Sequence, residues 1–241
     1  MLILVGCQTR LELDPEARSP KLPVNTDALM EAPFCGEAPP DETLASLTVN
    51  VWRAPGVDPW SATYNGLAAM AVWTRLGLFS TIQLHDEIAA DRLIIDTPAG
   101  PSLQPAKDIL SALPASDDGD VHIVVMDRFF AEDSSLARTG VKLRGLTVSP
   151  HLPVDPTSPL AELHLDKPVP PTVFIDLSAG PRAPGDLELT SAHEVGHALG
   201  LPHRTGDEVL MSDGELSLRC LPGLSAEERE QLGRRFIKLN R

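Results

Sequence analysis

The chain has 241 residues, enough for one sizeable domain or two small ones. Its 34 acidic against 20 basic residues give a net charge of −14, which argues against nucleic acid or an anionic membrane surface as a partner. The 23 prolines gather in the first 60 residues and between 150 and 184, where regular structure is least expected.

At the N-terminus, Leu4-Val5-Gly6-Cys7 matches a bacterial lipobox, in which a cysteine behind small residues is lipidated and becomes the mature N-terminus. The apolar stretch Met1 to Val5 is short for a signal core and no basic segment precedes it. Either the true start lies upstream or the match is accidental. We take the first, because Cys7 precedes a stretch suited to a tether: Gln8 to about Glu42 carries Pro, Glu, Asp and Ala with scant periodicity. The expected organisation is a truncated signal and lipobox over 1–7, a Pro-rich tether over 8–46, and one domain over 47–241. No segment is long enough to span a membrane. The expected location is therefore the bacterial cell envelope or the exterior, with membrane contact only through a lipid on Cys7.

Past the tether, Leu47 to Arg53 alternates like a half-buried strand. Ser61 to Leu76 is Ala-rich with a cap-like start and reads as a helix. Ser80 to Leu84 reads as a second strand, which Leu93 to Ile95 either extends or follows as loop. Lys107 to Leu113 is expected to be a short helix. Val121 to Met126 is a strongly apolar strand, Leu143 to Val148 a weaker one, and Thr172 to Leu177 a buried one. A Pro/Gly turn from Gly180 to Gly185 follows, and Asp186 can cap a helix from about Leu187 to Leu199. The fold class is α/β (α+β), a mixed sheet of about five strands with helices.

That helix carries the most informative segment, His193-Glu194-Val195-Gly196-His197-Ala198-Leu199-Gly200-Leu201-Pro202-His203. Its pattern, H-E-x-x-H-x-x-G-x-x-H, supplies three neutral nitrogen ligands and one unligated carboxylate, the inventory of a catalytic zinc site with one position open for water. Residues four apart on a helix share a face, so His193 and His197 can reach one metal. Gly200 accepts the left-handed conformation that ends helices, and the chain then brings back His203, stiffened by Pro202. Glu194 is the candidate general base. Downstream lies Met211, and Ser225-Ala-Glu-Glu228 reads as a capping box that opens a last helix with Leu232, Phe236, Ile237 and Leu239 on its apolar side.

With Met211 placed after His203, the chain resembles the metzincin clan of zinc endopeptidases, including its matrixin (matrix metalloproteinase) branch. The resemblance covers about 47 to 240 in the order of elements and 193 to 211 in specific residues. It implies one catalytic Zn2+ on His193, His197 and His203, Glu194 as general base and then acid, and Met211 in a tight turn beneath the histidines. It also implies that the strand preceding the zinc-helix strand, here Gly145-Leu146-Thr147-Val148, pairs with an extended peptide substrate; a plain edge strand is the competing reading. Leu216, Leu218 and Leu221 would give the pocket beneath the Met-turn an apolar preference. Some metzincins carry a tyrosine two residues past the methionine; Asp213 stands there in this chain. Arg204, directly after the third ligand, matches no well-known branch.

The expected partner is a polypeptide substrate and the expected state a monomer. Two other functions stay open: a catalytically inactive metzincin-fold binding protein, and a zinc amidohydrolase on a small substrate. His151, Asp155 and His164 lie where matrix metalloproteinases carry a second, structural zinc, though their spacing differs; the acidic composition is compatible with Ca2+. His122 reads as packed in a strand and His85 as surface. Two readings stand for Cys35 and Cys220. One is a disulfide pinning the tether. The other takes Pro33-Phe34-Cys35-Gly36 as a cysteine switch, in which a thiolate fills the open zinc position, although Phe34 stands where the switch has arginine.

Overall fold

A five-stranded sheet with strand order β2-β1-β5-β7-β6 carries the molecule in the computed structural model. The structure describes residues 26–36, 38–39, 44–115, 120–138, 144–151, 163, 169–179, 189–204, 210–212 and 220–239. In chain order these form α1 (Thr26–Glu31), β1 (Ala45–Arg53), α2 (Pro59–Arg75), β2 (Leu78–Glu87), β3 (Ile95–Thr97), β4 (Gly100–Ser102), α3 (Gln104–Ala112) and β5 (Asp120–Met126). There follow α4 (Ser135–Arg138), β6 (Gly145–Val148), β7 (Thr172–Asp176), a short 3-10 turn (Leu177–Ala179), α5 (Thr190–Ala198) and α6 (Ala226–Leu239). The four strands β2, β1, β5 and β7 run parallel, and β6 alone is antiparallel, paired to β7 with Gly145 opposite Ile175 and Val148 opposite Thr172. The fold class is thus the expected mixed α/β sheet of five strands.

Parallel strands are buried on both faces, and β5 and β7 read accordingly as near-continuous apolar runs, His122 and the flanking threonine and aspartates excepted. Helix α2 packs on the β1–β2–β5 side of the sheet and α5 on the β5–β7–β6 side, and the two helices touch each other. Small residues let α2 lie close on the sheet: Ala62, Gly66, Ala68, Ala69 and Ala71 are among its buried residues, and a Cβ on Gly66 would fall 2.5 Å from Val51 Cγ2. Asp58, rather than Ser61, caps α2, accepting the Ser61 backbone N–H at 3.1 Å. Among the described residues no helix is long and apolar enough to cross a membrane.

The structure bears on two expectations. The segment 8–46 is not wholly tether: α1 lies within it and buries Leu29 to 1% exposure against α2. Arg75 fixes it, donating to the carbonyls of Leu29 (2.8 Å) and Ala32 (2.6 Å), with its guanidinium 4.5 Å from the centre of the Phe34 ring. Of the two readings of Leu93 to Ile95, extension of β2 is excluded: Leu93 and Ile94 lie between strands, and a separate hairpin of β3 and β4 begins at Ile95. Cys7 lies outside the described residues.

Cys35 and Cys220 are joined by a disulfide across 185 positions of sequence, and Phe34 forms a parallel bridge with Leu221 beside it. The sulfur of Cys35 is therefore bonded to that of Cys220, not presented as a thiolate to the histidine site. Cys35→Ser is expected to lower stability by about 2–5 kcal/mol, or roughly 5–20 °C in Tm, without raising activity. Thermal melts and peptide-cleavage rates on both proteins check this; a variant more active than the intact chain would revive the switch.

His122 is buried in β5, accepting at Nδ1 from Trp52 Nε1 at 3.0 Å, while its Nε2 has no hydrogen-bond partner among the described residues. His85 is not simply a surface residue: its ring stacks on Trp52 at 4.2 Å, and its Nε2–H donates to Asn50 Oδ1 at 2.8 Å. Burial, and secondarily His85, lowers the pKa of His122 to about 4. The unfolded chain protonates this group near its ordinary value of 6.5, so between there and about pH 4 the unfolded state binds more protons. Stability present above pH 6.5 is then lost as pH falls through that window. Melts between pH 7 and pH 4 should show a falling Tm, with a shallower slope in His122→Gln; equal slopes would contradict this.

Candidate metal centre

Helix α5 begins at Thr190, three residues later than the expected start, after an N-cap Leu189 that makes no side-chain capping bond; Asp186 lies outside the described residues. What fixes α5 is its neighbours. Trp73 Nε1 donates to Ala192 O (3.0 Å), Ser191 Oγ to Asn65 Oδ1 (2.7 Å), and Ser149 Oγ to Ala198 O (2.9 Å). The helix ends in a Schellman motif: Gly200 N–H bonds His197 O (2.8 Å), Leu201 N–H bonds Gly196 O (2.9 Å), and Gly200 takes φ 91°. That left-handed residue is what turns the chain back to bring in His203.

The three histidines converge. His203 Nε2 lies 3.3 Å from His193 Nε2 and 2.9 Å from His197 Nε2, and one ligand atom from each ring falls within 4.8 Å of the others. The far nitrogens are committed elsewhere: His193 Nδ1–H donates to Leu210 O (2.7 Å) and His197 Nδ1–H to Leu201 O (2.8 Å). Each of those two rings, when neutral, therefore turns an unprotonated Nε2 towards the common centre. Burial, with the neighbouring His193 second, lowers the pKa of His197 to about 4, which keeps it neutral at pH 7. Lone pairs facing one another at about 3 Å repel unless a cation sits between them. A tetrahedral ion with nitrogen ligands at about 2.0–2.1 Å would space its donors by about 3.3 Å, so the set fits zinc. Among the described residues this is the only group of three or more ligand-type side chains that converges.

Met211 is fully buried beneath the helix, at a point where α5 carries Gly196. A Cβ on Gly196 would overlap Met211 Sδ and come within 3.3 Å of the Trp73 ring. The glycine is thus what lets the methionine lie under the ligands, a requirement the sequence reading passed over. A glycine in mid-helix, costing about 1 kcal/mol relative to alanine, was the available signal.

Glu194 lies between His193 and the edge strand. Thr147 Oγ sits 2.5 Å from Glu194 Oε2 and 3.0 Å from Glu194 O. Burial raises the Glu194 carboxyl to about 7, opposed by the hydrogen bond from Thr147. A Cβ on Gly145 would meet Glu194 Cγ and Oε1 at 2.5 Å. Of the three strand residues expected to pair with substrate through their backbone, Gly145 and Thr147 lie against Glu194, and Leu146 is buried at 7% exposure in the core. Strand β6 is nevertheless the last in the sheet order, with one backbone edge unpaired by any other named strand.

The remaining expectations fall elsewhere. His151 is exposed beside Gly200, while Asp155 and His164 lie outside the described residues, as do Asp213, Leu216 and Leu218. Leu221 is fully buried. The capping box is present as read: Ser225 N–H bonds Glu228 Oε2 (2.7 Å) and Glu228 N–H bonds Ser225 Oγ (3.2 Å).

No protein-family model matches the chain, and no curated protein matches it in sequence. Among solved structures it is similar to metalloproteinase-II from Bacteroides fragilis, at TM-score 0.49 and 18% identity over 88% of this chain. It spans 60% of the length of that protein. It is also similar to archaemetzincin from Methanopyrus kandleri, at TM-score 0.49 and 14% identity, covering 81% of this chain and 97% of that one.

Proposed function

We propose that the chain is a zinc-dependent endopeptidase of metzincin type. The observation that carries this reading is the convergence of three imidazole Nε2 atoms, two of them fixed by Nδ1–H bonds to backbone carbonyls, beside a half-buried carboxylate that is not itself a ligand. Zinc bound there supplies a Lewis acid that makes water a nucleophile near neutral pH and polarises a carbonyl. The chain's own groups do the rest. Glu194 takes up a proton at Oε and releases it to the leaving amine, and a carboxyl raised to about 7 is suited to both directions. Thr147 serves each state: its hydroxyl proton goes to Oε2 when Glu194 is ionised. When Glu194 is protonated, the same hydroxyl can turn to Glu194 O and accept from the carboxyl.

The antiparallel edge strand β6 supports a polypeptide as substrate, since an extended peptide can pair with its open edge only a few ångströms from Glu194. The disulfide supports an exported location, because such bonds persist in oxidising compartments. A lipid anchor on Cys7 and the matrixin branch remain part of this proposal, the first resting on the lipobox and the second on the motif and Met211 alone.

The test is digestion of a quenched peptide with and without a chelator, with bound metal measured in parallel. Chelation, and separately His197→Ala, should remove one zinc per chain and abolish cleavage, and added zinc should restore it only in the wild type. Cleavage that continues in metal-free protein would overturn the proposal.

A further inference from the structure

His193 and His197 stand on a helix with their outer nitrogens tied to backbone, but His203 lies beyond the helix end, exposed to solvent. What holds that part of the chain is the next residue. Arg204 N–H donates to Met211 O at 2.7 Å, and Arg204 forms a parallel bridge with Ser212. Its side chain reaches the start of α6: one terminal nitrogen lies 2.7 Å from Glu227 Oε2, and Nε lies 3.4 Å from Glu228 Oε1. Glu228 is 1% exposed and Arg204 28%. Arg204 Nε and Glu228 Oε1 are buried and have no hydrogen-bond partner among the described residues, so the 3.4 Å ion pair between them is what balances the charge of Glu228. The other oxygen of Glu228 is already used by the capping box. Helix α6 is in turn lashed to the end of α5, with Gln231 Nε2 donating to Gly200 O (2.7 Å) and Arg235 to Ala198 O (3.3 Å).

We propose that Arg204 is a positioning residue for the metal centre: its ion pairs with Glu227 and Glu228 hold the His203 segment against α6 and fix the third imidazole at the other two. The proposal rests on the zinc-site reading above and deepens it. A buried ion pair adds little net stability, but removing Arg204 leaves Glu228 charged and buried without a counter-charge, so the arrangement specifies one position for the His203–Arg204 segment. A ligand whose support is lost costs metal affinity even when the ligand itself remains.

The readout is zinc affinity of the folded full-length protein, measured by competition with a chromophoric chelator well below Tm, together with the visible spectrum of the cobalt-substituted protein. Glu228→Gln removes the buried one of the two carboxylates facing Arg204, leaving Glu227, but keeps an acceptor for the Ser225 N–H, so the capping box survives. It should weaken zinc binding about ten- to hundred-fold and alter the cobalt spectrum. Arg204→Met should do the same and stands in should the first variant fold poorly. Ser225→Ala removes half of the cap and leaves the ion pair; it should lower Tm with zinc affinity unchanged. Wild-type zinc affinity in both Glu228→Gln and Arg204→Met would overturn the clamp, as would an equal loss in Ser225→Ala. A wild-type chain that takes up no zinc would overturn the zinc-site reading itself, and the clamp with it.

Discussion

Glu194→Gln should retain one zinc per chain and lose about 10²- to 10⁴-fold in kcat/KM on a peptide substrate. Glutamine is nearly isosteric, keeps an oxygen for Thr147 and touches none of the three ligand nitrogens, so the metal centre survives. What disappears is the ability to take and return a proton at that position. The Thr147 hydroxyl cannot substitute, because it has one proton of its own and an ordinary alcohol's reluctance to lose it. The measurement is steady-state cleavage of a quenched peptide with metal content determined on the same preparation. Near-wild-type turnover in a zinc-loaded Gln variant would end the assignment of Glu194. Loss of zinc along with activity would show that the carboxylate contributes to the ligand set.

Much of the architecture could be read before the structure because it rests on short-range patterns. The helix of the histidine motif, its glycine terminator and the capping box of α6 are each written within a dozen residues; the last two stand where the pattern put them, and the helix starts three residues later. The apolar run of β5 and the Ala-rich face of α2 are equally local signals. Helix α1 was not legible, since six residues with one buried leucine show no periodicity; it is held from Arg75, more than forty positions away. The β3–β4 hairpin has three residues per strand and side chains that are exposed or half-buried, too little for an alternating pattern to emerge.

The site itself divides along the same line. The three histidines and Glu194 belong to one contiguous motif, so their residue types and spacing carried the chemistry. The groups around them arrive from distant segments: Leu210 O on His193, Thr147 on Glu194, and Glu228 on the residue after His203. Gly145 carries a signal that the sequence alone could read only in part. A glycine inside a strand marks a close approach, and the approaching group was expected to be substrate backbone. In the structure it is the carboxylate side chain of Glu194.

Gly145→Ala should therefore act on catalysis more than on folding. An alanine Cβ would fall 2.5 Å from both Glu194 Cγ and Oε1 and 2.7 Å from Cδ, well inside contact distance. The backbone at Gly145 does not lie in the left-handed region, so alanine brings no conformational strain of its own. Alanine also suits a strand no worse than glycine, which offsets part of the crowding cost. The overlap is with a side chain, and a side chain can move. Glu194 would rotate away and break its bond to Thr147, while His193, His197 and His203 keep their places. A displacement of about 1 Å at a reacting group costs about 10²-fold in rate. The expected result is a folded variant with full zinc content, a Tm within a few degrees of wild type, and kcat reduced by about two orders of magnitude. Unchanged kcat with a large fall in Tm would mean that Gly145 serves packing and that Glu194 has room to spare.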